Sequence, residues 1–171
     1  MKKLLTLFAI FSLLLTAAGC SSSTEEPAKK SAEKKTAELT DSIKSKIYNS
    51  VRIAELKANE VFHKEVAADE TTPIINANFA DKKKAVDFLS KYYSEELAKD
   101  IYSHYATEEK TDEEQMIINA ESYFTSSFLD TNQESVTIEG DENEATVTTA
   151  ENVTYHLKLK DGQYIITGIE K

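Results

Sequence analysis

Residues 153–169 read VTYHLKLKDGQYIITGI, in which apolar and polar side chains alternate strictly from Val153 to Lys160 and an Asp-Gly pair separates this run from a second apolar-rich run. Strict alternation is typical of a strand with one buried face, and Asp-Gly between two such runs is a strong hairpin signal. We therefore predict an antiparallel hairpin that pairs Leu159 with Tyr164 and Leu157 with Ile166. We expect this apolar face to pack on helices.

Helical spacing precedes these strands. Apolar residues recur every three or four positions over residues 39–67, which predicts one long helix that begins at Thr40 or Asp41. The same spacing over residues 81–129 predicts three further helices, with N-caps at Asp81, Ser94 and Thr111.

The period changes to two after residue 134. Residues 135–169 therefore read as antiparallel strands, and Ile117 and Ile118, placed in the last predicted helix, would also suit a strand. Helices followed by an antiparallel meander indicate the α+β class, with N-terminal helices packed on a C-terminal antiparallel β-meander. The expected domain is residues 39–171.

The N-terminus has the layout of an export signal. Residues 1–19, MKKLLTLFAIFSLLLTAAG, place two lysines before an apolar run that ends in small residues. The segment Ala17-Ala18-Gly19-Cys20 resembles the bacterial lipobox, although Leu is usual where Ala17 stands. This resemblance implies cleavage between Gly19 and Cys20 and a diacylglyceryl lipid on the Cys20 sulfur. An ordinary signal peptide with a chance cysteine is the alternative.

Lipidation would set the location of the protein. Two acyl chains hold a protein stably on a bilayer, whereas one chain anchors it only marginally. The expected place is the extracytoplasmic face of the cell membrane. Residues 20–38 contain Ser, Thr, Ala, Glu, Lys and one Pro but no large apolar side chain, so we predict a flexible tether with a reach of roughly 25 Å.

The C-terminal part carries a second resemblance. The ending YHLKLKDGQYIITGIEK is similar to the final hairpin of nuclear-transport-factor-2-like domains, which belong to the cystatin-like cone folds. The resemblance covers residues 79–171, although the family usually has Trp where Tyr164 stands. It implies a cone with an interior cavity. It does not imply one function, because members include enzymes, ligand binders and assembly modules.

The motifs of common enzymes are missing from the sequence. There is no glycine-rich phosphate loop and no G-x-S-x-G elbow, and the single cysteine is assigned to lipid. The three histidines lack metal-ligand spacing, so we predict neither catalytic nor metal-ligating residues and no cofactor besides the lipid on Cys20. Whether the chain is an enzyme stays open, with a non-catalytic role favoured.

Acidic residues are concentrated in one part of the chain. The whole chain has a net charge of -10, and residues 108–151, the acidic segment, contain thirteen acids and one base. This balance excludes a nucleic-acid partner, whose phosphates require a basic face. The segment is either a solvated surface or a docking face for a basic protein. The residues of the possible docking face are Glu113, Glu114, Asp141, Glu142 and Glu144.

A pocket is the other possibility. Tyr93 and Tyr102 fall beside the main apolar stripes, and a histidine inside a cone fold could act as a base. The possible pocket residues are Tyr93, Tyr102, His104 and His156.

Three functions remain open at the level of sequence. The first is a lipid-anchored, non-catalytic binding or interaction module at the cell surface. The second is a small-ligand carrier or a cone-fold enzyme, which requires an interior cavity. The third is a regulator of a wall-acting hydrolase that would contact a basic enzyme through the acidic segment.

Overall fold

The computed structural model describes residues 39–171. Helix α1 spans Asp41–Phe62, and the Thr40 side chain accepts a hydrogen bond from the Ile43 backbone N–H at 3.3 Å. The predicted start is therefore confirmed. The predicted end at residue 67 is wrong, because the chain leaves the helix after Phe62 and forms a short hairpin. Its strands are β1, Glu65–Val66, and β2, Pro73–Ile74.

Helices α2 and α3 agree with their predicted caps. Helix α2 spans Lys82–Leu89, and the Asp81 side chain accepts from the Lys84 N–H at 3.0 Å. Helix α3 spans Glu95–Tyr105, and the Ser94 hydroxyl accepts from the Leu97 N–H at 3.2 Å. Each cap satisfies one of the free N–H groups at the start of its helix.

The third predicted helix within residues 81–129 is wrong. Strand β3, Ala106–Lys110, follows α3 directly and pairs with β4, Met116–Ile118. The Thr111 hydroxyl accepts from the Gln115 N–H at 3.2 Å and thereby closes a turn rather than opening a helix. The four short strands form one sheet in the order β1-β2-β4-β3. A 3-10 turn at Phe128–Asp130 follows.

The second sheet is an antiparallel meander. Its strands are β5, Thr137–Gly140, β6, Glu144–Thr148, β7, Thr154–Lys160, and β8, Gln163–Glu170, and they neighbour one another in chain order. The α+β prediction is confirmed. Leu159 pairs with Tyr164 and Leu157 with Ile166, as the Asp-Gly turn requires, and the register shifts between His156 and Leu157.

The core lies between α1 and the inner face of this meander. Helix α1 contacts β5, β6 and β8. Burial of each large apolar side chain contributes about 1.5–3 kcal/mol, so this interface contributes substantially to stability. The apolar residues that the helix and the sheet bury are Ile47, Tyr48, Val51, Ala54, Ala58, Val61 and Phe62 on α1, and Ala145, Val147, Tyr155, Leu157, Tyr164 and Ile166 on the sheet.

The connection between α2 and α3 is held against the edge of the meander. Tyr93 forms a parallel bridge with Ile166 of β8. The Ser94 N–H donates to the Ile166 carbonyl at 2.7 Å, and the Ile166 N–H donates to the Tyr92 carbonyl at 2.9 Å. These bonds pair backbone groups at the sheet edge and fix Tyr93 deep in the core.

Candidate functional site

The side chains of the acidic segment are on the surface. Twelve of its thirteen acids are exposed, and Asp141 is half-buried. Exposed carboxylates keep their hydration and therefore add to the electrostatic field around the domain. The segment thus presents dense negative charge to solvent.

Glu113 and Glu114 lie in the turn between β3 and β4. The Thr111 hydroxyl accepts from the Glu113 N–H at 3.3 Å, and Glu114 adopts a φ of 62°, a left-handed conformation. The Glu114 carboxylate lies 2.7 Å from Lys110 Nζ, and this hydrogen bond lowers the pKa of Glu114. Glu113 is left without an ion-pair partner within residues 39–171.

Asp141, Glu142 and Glu144 lie at the turn between β5 and β6. The Asp141 carboxylate accepts from the Asn143 N–H at 2.9 Å and from the Glu144 N–H at 3.1 Å. Gly140 has a φ of 118°, and a Cβ there would meet the Glu144 carbonyl oxygen at 2.3 Å, so only glycine fits. Glu144 pairs with Lys158 of β7 at 3.1 Å.

The five predicted docking residues therefore form two groups. One group is on a turn of the first sheet and the other is on a turn of the meander. Both turns are held by side-chain to backbone hydrogen bonds, so their backbones are ordered before any partner arrives. Such turns can present carboxylates to a lysine-rich or arginine-rich surface.

The four predicted pocket residues lie in different places. Tyr93 is fully buried beside β8. Tyr102 is buried on α3, with Lys82 Nζ 5.5 Å from its ring centroid. His104 is half-buried on α3, and its Nε2 lies 2.8 Å from the Glu121 carbonyl oxygen. His156 is half-buried on the opposite face of β7 from Tyr155.

His156 borders a groove on the outer face of the meander. The groove has a volume of about 470 Å³ and is open to solvent. His156 Nε2 lies 3.0 Å from Glu170 Oε1, but the contact lacks the geometry of a hydrogen bond. Glu144 and Lys158, which also line the groove, pair with each other. The charges in the groove are thus already matched.

Tyr93 has an unusual hydroxyl. The group is buried, and it has no hydrogen-bond partner among residues 39–171. Burial raises the pKa of Tyr93 well above its ordinary value. A buried polar group without a partner costs free energy, so this hydroxyl marks either a destabilised spot or a place for a small polar guest.

We expect Tyr93→Phe to raise the free energy of unfolding by about 1 kcal/mol, because it removes a buried hydroxyl that has no partner among residues 39–171. Tyr105→Phe is the matched control. The Tyr105 hydroxyl accepts from the Tyr123 N–H at 2.9 Å, so its loss is expected to lower stability by about 1 kcal/mol. Urea denaturation of both variants measures the difference. A clear loss of stability in Tyr93→Phe would mean that the hydroxyl has a bound partner.

Sequence reasoning missed the buried carboxylate of Glu55. This side chain is only 4% exposed. It accepts hydrogen bonds at 2.7 Å from the Ser127 hydroxyl and at 2.7 Å from the Phe128 N–H. Burial raises the pKa of Glu55. The signal was present, because position 55 lies four residues after Val51 on the apolar face of α1.

Two further features bear on function. Within residues 39–171, no group of three or more His, Cys, Asp or Glu side chains is arranged to hold a metal ion. Among the helices described here, none is both long and apolar enough to cross a bilayer. Gly19 and Cys20 of the lipobox-like segment, the predicted signal peptide and the predicted tether all lie outside the described residues.

The function of this chain has to be inferred from its own residues and their geometry. No protein-family model, no curated protein and no solved structure matches this chain.

Proposed function

We propose that this chain is a lipid-anchored protein of the extracytoplasmic face of the cell membrane. Its folded domain acts as a non-catalytic binding module for a basic protein surface. The observation that carries the binding role is the exposure of twelve of the thirteen acids in the acidic segment. The lipobox-like Ala17-Ala18-Gly19-Cys20 supports the anchor.

The two acidic turns favour docking over simple solubility. A solvated surface needs no fixed geometry, whereas Thr111 and Asp141 hold their turns through hydrogen bonds to backbone N–H groups. The Tyr164 hydroxyl also donates to the Glu142 carbonyl at 2.8 Å and ties the second turn to β8. A turn whose backbone is already ordered loses less conformational freedom when a partner binds. The field of the carboxylates also speeds association with a basic surface.

Binding to a decalysine peptide tests this role. Each exposed ion pair contributes about 0.2–1 kcal/mol, so neutralising five acids is expected to weaken binding by at least about fivefold at low salt. Isothermal titration at two salt concentrations measures the loss, and added salt should weaken the wild-type complex. The variant combines Glu113→Gln, Glu114→Gln, Asp141→Asn, Glu142→Gln and Glu144→Gln.

A control variant separates local charge from total charge. It removes five exposed acids outside the acidic segment and therefore has the same net charge as the test variant. We expect it to bind the peptide nearly as well as the wild type. Equal weakening in both variants would refute a docking face. The control substitutions are Glu70→Gln, Asp87→Asn, Glu96→Gln, Asp100→Asn and Asp161→Asn.

A small-ligand carrier is the second candidate. The buried Tyr93 hydroxyl without a partner among residues 39–171 favours it, because a polar guest would satisfy this group. The resemblance to cone folds points the same way. The free energy of unfolding of Tyr93→Phe tests this candidate. A gain in stability means that the hydroxyl has no partner, and a loss means that it binds one. Neither result requires a basic protein.

A further inference from the structure

Lysines are concentrated around helix α2. Residues 82–91, KKKAVDFLSK, contain four exposed lysines and one acid. Three of these lysines occupy the first turn of α2, where the helix dipole favours acidic side chains. Helix stability therefore does not explain them. Lys83 pairs with Asp87 at 2.5 Å. Of the four lysines in residues 82–91, three form no ion pair within residues 39–171, namely Lys82, Lys84 and Lys91.

Half-buried aromatic rings lie beside these lysines. The Phe88 ring centroid is 4.6 Å from that of Phe79 and 5.8 Å from that of Tyr92. Lys91 Nζ is 5.6 Å from the Phe88 centroid, and Lys84 precedes Phe88 by four residues on the same face of α2. We call these five residues, Phe79, Lys84, Phe88, Lys91 and Tyr92, the basic–aromatic patch.

The overall acidity of the chain does not oppose a role for this patch with anionic partners. The acidic segment carries a net charge of -12, whereas residues 39–107 and 152–171 together contain thirteen acids and thirteen bases. Salt at physiological strength screens exposed charges over about 8 Å. Within residues 81–91 the four lysines outnumber the two acids, Asp81 and Asp87, so the charge close to α2 is positive.

We propose that the basic–aromatic patch docks on an anionic phospholipid surface, as a second contact besides the lipid anchor. Lysine ammonium groups pair with lipid phosphates, and aromatic rings with one wet edge favour the bilayer interface. The proposal rests on the proposed membrane anchor, because tethering supplies the high local lipid concentration that a patch of few lysines needs.

A single tryptophan can report the contact. The chain has no tryptophan, so Phe88→Trp introduces the only one. The full chain, purified as the cell makes it, is incorporated into phosphatidylcholine vesicles with or without an equal amount of phosphatidylglycerol. We expect brominated lipid to quench the fluorescence of this indole strongly only where phosphatidylglycerol is present. Thr137→Trp, at an exposed site on β5, should stay unquenched.

Charge variants test the same surface. Removing the two lysines of the basic–aromatic patch is expected to lower the ratio of docked to undocked domain about 30-fold. Removing two exposed lysines elsewhere should leave the ratio nearly unchanged. Tyr92→Trp repeats the measurement should Phe88→Trp fold poorly. The test variant is Lys84→Gln and Lys91→Gln, and the control is Lys46→Gln and Lys64→Gln.

The anchor and the docking contact are measured separately. Flotation with phosphatidylcholine vesicles reports the anchor, and quenching of the Phe88→Trp variant reports the patch. The docking proposal is overturned if quenching is equally strong with and without phosphatidylglycerol, or if it is equal at positions 88 and 137. In either case flotation can still support the anchor. A fluorescence response of the Phe88→Trp variant to an acidic peptide, without any lipid quenching, overturns it in favour of a protein partner.

Discussion

Glu55→Ala is expected to lower the free energy of unfolding by roughly 3–5 kcal/mol. The substitution leaves the Ser127 hydroxyl and the Phe128 N–H without their acceptor, and a hydrogen bond to a charged group contributes about 1.5–3 kcal/mol. It also removes the two hydrogen bonds that attach Ser127 and Phe128 to α1. Urea denaturation measures the loss. Glu96→Ala, an exposed position on α3, is the control and should change stability by about 0.5 kcal/mol or less.

The protonation of Glu55 gives this stability a pH dependence. Burial raises the pKa of Glu55 above its ordinary 4.5, so the folded state holds the proton more tightly than the unfolded chain does. The contribution is therefore complete below that value and is lost as the pH rises through the raised pKa. Glu55→Gln cannot titrate. We expect the stability of the wild type relative to Glu55→Gln to fall as the pH rises, and a difference independent of pH would contradict this.

Cys20→Ser is expected to abolish anchoring altogether. A hydroxyl cannot take the diacylglyceryl thioether, so the chain either remains as an unprocessed precursor or is released to the soluble fraction. Fractionation of cells and the mass of the N-terminal peptide measure the outcome. Ser21→Ala, next to the cysteine, is the control and should be processed and anchored like the wild type. A Cys20→Ser chain that is both fully processed and membrane-bound would refute the anchor.

Local signals explain which parts of the fold were predictable. The Asp-Gly turn and the alternation around it involve neighbours in sequence, so the register of β7 and β8 follows from them. The end of α1 depends instead on β1 pairing with β2, strands of two residues that are too short to show a period. In the same way, Thr111 satisfies a turn or a helix equally well, and pairing of β4 with β3 decides between them.

The candidate site divides along similar lines. Exposure of Glu113 and Glu142 follows from charge density, because ionised side chains are costly to bury without partners. The burial of Glu55 depends on Ser127, which is distant in sequence and lies in the segment that follows β4. Tyr93 and His156 end in different environments because their strand neighbours, not their spacing, determine what each side chain faces.

The start of α1 has a mechanical consequence. Leu39 is 6% exposed and belongs to the hydrophobic core, and Thr40 begins the helix directly after it. A pulling force applied to the chain before Leu39 would therefore act directly on α1, because no loop separates Leu39 from this helix. Since α1 packs on β8, which lies at the C-terminus of the chain, a pull from the first described residue strains the last strand as well.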